Sequence, residues 1–151
     1  MNPTILIVDD CADIARIIAH YLESASYRTV TAANGIEARR RLEILTPDCI
    51  VLDLMMPGMG GAEFLHGLHA DPATSGIPVI LVSARVGHHG TRFSSQVDAD
   101  YSVGKPFTRP QIVQAVRTVL ARQAGIELAA PAAPPPPRVD VGTCNAQGLG
   151  R

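Results

Sequence analysis

Three acids and one lysine in this chain stand where their charges can act together. Asp53 closes an apolar run, Cys49-Ile50-Val51-Leu52, and leads directly into the breaker-rich stretch Leu54-Met55-Met56-Pro57-Gly58-Met59-Gly60-Gly61. Asp9 and Asp10 close a second apolar run, Ile5-Leu6-Ile7-Val8, and Lys105, followed by Pro106 and Phe107, closes a third and weaker one. If the three runs are parallel neighbouring strands, three carboxylates and one ammonium meet in one crevice. Two carboxylates about 4 Å apart repel by about 4 kcal/mol at an effective dielectric of roughly 20. Such a cluster therefore has to be neutralised. Its charge balance calls for a divalent cation, and an all-oxygen donor set without histidine or thiolate selects a hard ion, Mg²⁺ or Mn²⁺. Asp53 alone would read as a solvated loop acid; the four residues together read as a site.

The elements needed to position these groups are legible in the hydrophobic pattern. Short apolar runs alternate with longer amphipathic segments, which is the signature of β-α units around a parallel sheet. Strands are predicted over 4–9, 28–32, 48–53, 78–83 and 101–104. A first helix carries Ile14, Ile17, Ile18, Tyr21 and Leu22 at helical spacing. A second begins after Asn34-Gly35 and runs to about Leu45, with Ile36, Ala38, Leu42 and Leu45 inward and Arg39, Arg40 and Arg41 largely outward as a solvated face. A third follows Gly61, buries Phe64, Leu65 and Leu68, and stops before Asp71-Pro72. The last starts at Thr108 as N-cap, with Pro110 in its first turn and Ile112, Val113, Val116, Val119 and Leu120 at core spacing. Between the fourth and fifth strands, residues 86–97 carry Gly87 and Gly90 and few anchors. Each glycine costs about 1 kcal/mol in a helix interior, so a fourth helix there is expected to be short or frayed. His88 and His89 read as exposed loop residues, with no partner ligand at a helical offset.

At 151 residues the chain has the size of one domain. Thirteen Lys and Arg against fourteen Asp and Glu give a net charge of −1, which provides no overall basic field for nucleic acid. Cys11, Cys49 and Cys144 are widely spaced and odd in number, forming neither a metal-ligand pattern nor a disulfide framework, as suits a reducing compartment. The start lacks the basic segment of a signal peptide, and no apolar run approaches the ~20 residues of a bilayer helix. A cytoplasmic protein without membrane insertion is expected. After Gly125 the composition shifts to Ala129-Ala130-Pro131-Ala132-Ala133-Pro134-Pro135-Pro136-Pro137, which reads as a proline-rich disordered tail.

Over residues 3–122 the chain resembles a bacterial two-component response-regulator receiver domain of the chemotaxis-regulator type. The resemblance rests on Val8-Asp9-Asp10, on Leu52-Asp53 with the loop through Gly61, on Ile80-Leu81-Val82-Ser83-Ala84, and on Lys105-Pro106-Phe107. Each piece is weak alone; their joint order and spacing are specific. The resemblance implies a flavodoxin-like α/β fold, a five-stranded doubly wound parallel sheet of order 2-1-3-4-5. It implies a domain over 1–124 and a tail over 125–151.

By the same resemblance, Asp53 is the phosphoacceptor, and Asp10, Asp53 and the Met55 backbone carbonyl hold Mg²⁺, with Asp9 in the same acidic pocket directly or through water. Ser83 hydrogen-bonds the phosphoryl oxygens and Lys105 pairs with them. The implied function is a phosphorelay signalling protein, not an enzyme beyond its own phosphorylation and dephosphorylation. A histidine kinase or phosphotransfer protein would supply the phosphoryl group. The 4-5-5 face, formed by the fourth helix, fifth strand and fifth helix, would meet a downstream protein, with no direct nucleic-acid contact. With no effector sequence after residue 125, a single-domain regulator is expected.

The departures bear on the switch. The family's aromatic switch residue stands three positions before the lysine, where this chain has Ser102, and Tyr101 lies one position earlier on the opposite pleat of a regular strand. Either a bulge near Gly104 re-aims Tyr101 or the aromatic gate is absent. The alternative function is therefore a receiver-like interaction module that works without phosphate. An aspartyl-nucleophile phosphatase ranks far lower, since Asp9 is followed two positions on by Cys11 where such enzymes place a second Asp. A flavin-binding module on the same sheet ranks lower too, because the crevice is acidic where a phosphate-bearing cofactor wants bare amide donors.

Overall fold

The computed structural model describes residues 2–54, 56, 60–83 and 100–125, with Ser83 described by its backbone alone. The predicted fourth helix over 86–97, the Met55 carbonyl and the tail beyond Gly125 lie outside the described residues.

Five parallel strands, β1 (Thr4–Val8), β2 (Arg28–Ala32), β3 (Cys49–Asp53), β4 (Val79–Ser83) and β5 (Tyr101–Gly104), form one sheet in the order β2-β1-β3-β4-β5. The helices are α1 (Ala12–Glu23), α2 (Gly35–Ile44), α3 (Gly61–Ala70) and α4 (Arg109–Gln123). This is the doubly wound sheet expected from the sequence, with the strand ends falling within one residue of the predicted ones.

Alternation along the strands splits the core in two. Ile5, Ile7, Cys49, Val51, Ile80, Val82 and Val103 face α1 and α4, meeting Ala15, Ile18, Leu22, Ile112, Val116 and Val119. Leu6, Val8, Ile50, Leu52, Val79 and Leu81 face the other way, against Ala38, Phe64, Leu65 and Leu68 of α2 and α3. Strand β3, central in the sheet, is buried at all five residues, which explains why its sequence is a continuous apolar run rather than an alternating one. Burying both faces also fixes the register, because a slip of one residue would exchange every side chain between the two cores.

Two helix starts are fixed by their own side chains. The Asn34 carboxamide accepts the Glu37 N–H at 2.8 Å as the cap of α2, and the Glu37 carboxylate accepts the N–H of Ala33, the residue before the cap, at 2.9 Å. At α4 the Gln111 carboxamide accepts the Thr108 N–H at 2.8 Å, and Pro110 stands in the first turn, where no backbone donor is needed.

Some side chains depart from the predicted faces. Ile17 and Ile36, read as inward, are 41% and 54% exposed. Helix α2 covers β2 at the sheet margin and β1 beside it, so only a narrow stripe, Gly35 and Ala38, is buried while Leu42 and Leu45 are half-covered. Arg39 is exposed, as expected of the solvated face, and its guanidinium also lies over Gly67 of α3, where a Cβ would stand 2.5 Å from Arg39 Nη2.

Candidate functional site

The parallel register decides which loop residues meet. Val8 pairs with Leu52, so the residues just beyond them, Asp9 and Asp53, emerge side by side at the same end of β1 and β3. Both continue the odd-numbered face that looks toward α1 and α4. They are 3% and 5% exposed, while Asp10, one step further, is exposed. Carboxylate oxygens of Asp9, Asp10 and Asp53 all lie within 4.8 Å of one another.

Lys105 arrives from β5, on the far side of β4. Val82 pairs with Val103 and Ser83 with Gly104, which puts Lys105 just past the sheet's end with the tip of β4 between it and Asp53. Its four-carbon stem crosses that tip, and Nζ stands 3.4 Å from Asp9 Oδ2 and 3.4 Å from Asp53 Oδ2. The Lys105 side chain is 24% exposed, against 2% and 5% for its partners. Lys105 and Pro106 are joined by a cis peptide.

Asp9 is tied down twice, since its Oδ1 accepts the Cys11 N–H at 2.9 Å while Oδ2 faces Lys105. Its carboxyl is nevertheless held above the usual carboxylate range. Burial is the main cause, and the nearby Asp53 charge adds to it, against the opposing pull of the Cys11 amide and the Lys105 ammonium. One ammonium thus leaves the cluster short of positive charge. Away from the site, the buried Cys49 thiol is pushed well above the usual thiol range by burial, reinforced by Asp100 and Asp48, so it is inert packing.

Of the residues singled out in the sequence, Asp9, Asp10, Asp53 and Lys105 converge. Ser83 ends β4 next to Gly104, its backbone at the same sheet end, while its side chain and Met55 lie outside the described residues. The ladder between β4 and β5 is regular from Tyr101 to Gly104, with no bulge. Tyr101 pairs with Ile80 and packs half-buried on the α1 and α4 side. Ser102 pairs with Leu81, on the opposite face, and is 1% exposed.

Gly61 has a role that the sequence reading did not assign. A Cβ at Gly61 would fall on the Asp53 carbonyl oxygen and 2.6 Å from Leu54 Cα, and the Gly61 N–H reaches back to the Leu54 carbonyl at 3.3 Å. The start of α3 is thereby pressed against the acid's own backbone. The adjacent glycines Gly60 and Gly61 at a loop-to-helix junction were the available signal.

Residues 5–117 match the family model described as "Response regulator receiver domain". The phosphate regulon transcriptional regulatory protein PhoB of Pseudomonas aeruginosa is 37% identical over 122 residues, covering 81% of this chain and 53% of that protein. The DNA-binding response regulator MtrA of Mycobacterium tuberculosis is 33% identical over 122 residues, covering 81% of this chain and 52% of its own length. The chain therefore spans about half the length of these curated relatives. Among solved structures, a putative response regulator from Chloroflexus aurantiacus superposes with a TM-score of 0.73 at 28% identity, covering 81% of this chain and all of its own, 100%.

Proposed function

This chain belongs to the response-regulator receiver family, and from that premise we propose that it is a phosphorelay receiver that takes a phosphoryl group onto Asp53 and changes its protein contacts in response. The observation that carries the reading is the near-buried pair Asp9 and Asp53, both 3.4 Å from one lysine and grouped with a third carboxylate. A purely structural role would have no use for three acids against one ammonium.

The donor set fits a hard divalent ion: three carboxylates in reach of one another, one of them exposed and able to take up the ion from water, and no nitrogen or sulfur ligand among them. In this reading Asp9, Asp10 and Asp53 hold Mg²⁺ or Mn²⁺, and the Met55 carbonyl joins them. When bound, the ion supplies fixed positive charge to the oxygens of the incoming phosphoryl group.

The chain's own residues do the rest. Phosphoryl transfer passes through a loose transition state, so it needs an aligned nucleophile and fixed positive charge more than a strong base. An Asp53 oxygen forms the new P–O bond as the donor's P–N bond breaks, and the departing imidazole keeps the electron pair. Lys105 Nζ, already 3.4 Å from Asp53 Oδ2, is placed to meet the new phosphoryl oxygens, and Ser83, at the neighbouring strand tip, donates its hydroxyl to them. The product carries up to about −2 where the carboxylate carried −1. Lys105 is then drawn from Asp9 toward the phosphoryl group, and movement of β5 and the segment before it alters the face presented to a partner.

Catalysis is limited to the domain's own phosphorylation and dephosphorylation, with a histidine kinase or phosphotransfer protein as donor. The partner is a protein that meets β5, α4 and the segment between β4 and β5. No described helix is long and apolar enough to cross a membrane.

Incubation with a small phosphodonor and Mg²⁺ tests the reading. It predicts an acid-stable, base-labile phosphoryl adduct that is absent from Asp53→Asn and from protein held in excess chelator. A second reading, an interaction module that needs no phosphate, is favoured by one observation: Ser102, not an aromatic, sits buried at the switch position. Partner capture that is equal for wild type and Asp53→Asn, with and without phosphodonor, would establish that second reading instead.

A further inference from the structure

The sheet end opposite Asp53 holds a groove of about 590 Å³, floored by Pro3, Pro47, Ile77 and Leu120 and walled by Gln123 and Ala124. The Gln123 side-chain amide donates to the Gly76 carbonyl at 3.0 Å, which fixes the end of α4 along one rim. The chain leaves α4 on that rim. Gly125 has φ +74°, the left-handed conformation that closes helices, and its N–H donates to the Arg122 carbonyl at 3.1 Å. That is half of a Schellman ending, in which the residue after the glycine packs on the last turn of the helix. Here that residue is Ile126, and the apolar residue of the last turn that lines the groove is the half-buried Leu120.

We propose that the groove is the seat of the chain's own Ile126 and Leu128. Apolar residues at alternate positions fall on one side of an extended segment, so both face the prolines and Ile77 while Glu127 stays in water. The segment begins two residues past a groove wall, which gives it an effective concentration no free partner matches. After Leu128 the sequence turns to alanine and proline, so the anchor ends there and the proline run leaves from the base of the sheet, away from the acidic crevice.

The test uses isotope-labelled full-length protein, and its readout does not involve Asp53, so it stands or falls apart from the phosphoacceptor reading. Methyl contacts from Ile126 to Leu120 and Ile77 are expected. The Ile126→Asp, Leu128→Asp double variant and a chain ending at Gly125 should both shift the amide signals of Asp48, Gly76, Ile77 and Leu120, whereas a chain ending at Ala130 should keep the full-length pattern. Absence of those methyl contacts, unshifted signals in the double variant, or shifts that appear only as protein concentration rises would overturn the proposal, the last by placing a second copy in the groove.

Discussion

Replacing Lys105 with methionine removes the ammonium but keeps an unbranched apolar stem, so it isolates the charge that balances the acidic crevice. Each of the two 3.4 Å ion pairs is worth about 5 kcal/mol of gross attraction at an effective dielectric of roughly 20. Without them, Asp9 and Asp53, whose oxygens lie within 4.8 Å, face one another with about 3.5 kcal/mol of repulsion on the same scale. Breaking a buried pair by removing one partner typically costs about 3–5 kcal/mol, and the 24% exposure of Lys105 returns part of that through solvent screening. A net loss of about 2 kcal/mol is expected for Lys105→Met in metal-free buffer at neutral pH, or a melting point lower by about 6–10 °C for a domain of this size. Denaturant titration gives the free energy directly. The deficit should shrink as pH falls and Asp9, whose carboxyl burial holds above the usual carboxylate range, takes up its proton, and it should also shrink in millimolar Mg²⁺. A deficit that is the same at acid and neutral pH and indifferent to Mg²⁺ would refute the reasoning, because the loss would then come from packing of the stem.

Gly61→Ala is expected to cost about 3 kcal/mol, since its Cβ would meet the immovable backbone of Asp53 and Leu54, whereas Gly67→Ala, whose Cβ meets only the movable end of Arg39, should gain about 0.5–1 kcal/mol of helix propensity; a pair of denaturation curves decides both signs. Burial chiefly holds the Asp9 carboxyl above its ordinary 3.8, so the folded state keeps this proton more readily than the unfolded chain. The stability this group contributes in metal-free protein is full below 3.8 and is lost as pH rises through the raised native value, and Asp9→Asn should flatten that limb of the stability profile measured by denaturant midpoints. Asn34→Ala removes the 2.8 Å cap of α2 and should cost about 1 kcal/mol, with no dependence on Mg²⁺ in the same denaturation assay.

How far the sequence revealed the site follows from how local its causes are. Asp9 and Asp53 could be placed together because each follows a run that only a doubly covered strand explains, and the register of such strands is fixed by their two cores. Lys105 was harder, since its run is short, yet its Pro106 and Phe107 neighbours marked the strand's end. The faces of α2 were less legible. Its Ile36, Ala38, Leu42 and Leu45 suggest an inward stripe, but a helix at the margin of the sheet has little to lie on, and Ile36 is 54% exposed. Burial there depends on what stands opposite, which no spacing encodes. The same holds for Gly61, whose requirement comes from the backbone of Asp53.

Tyr101 and Ser102 carry this reasoning to the output. Strand β5 pairs with β4 without a bulge, so the tyrosine belongs to the core shared with α1 and α4 and has no path to the opposite face short of re-registering the strand. A slip of one residue would also move Val103 out of that core and Ser102 into it, exchanging a buried aliphatic for a hydroxyl. Under the proposed function, Lys105 and the strand that carries it give one described path from Asp53 toward the partner face, with Ser102 offering little bulk to gate movement of that strand.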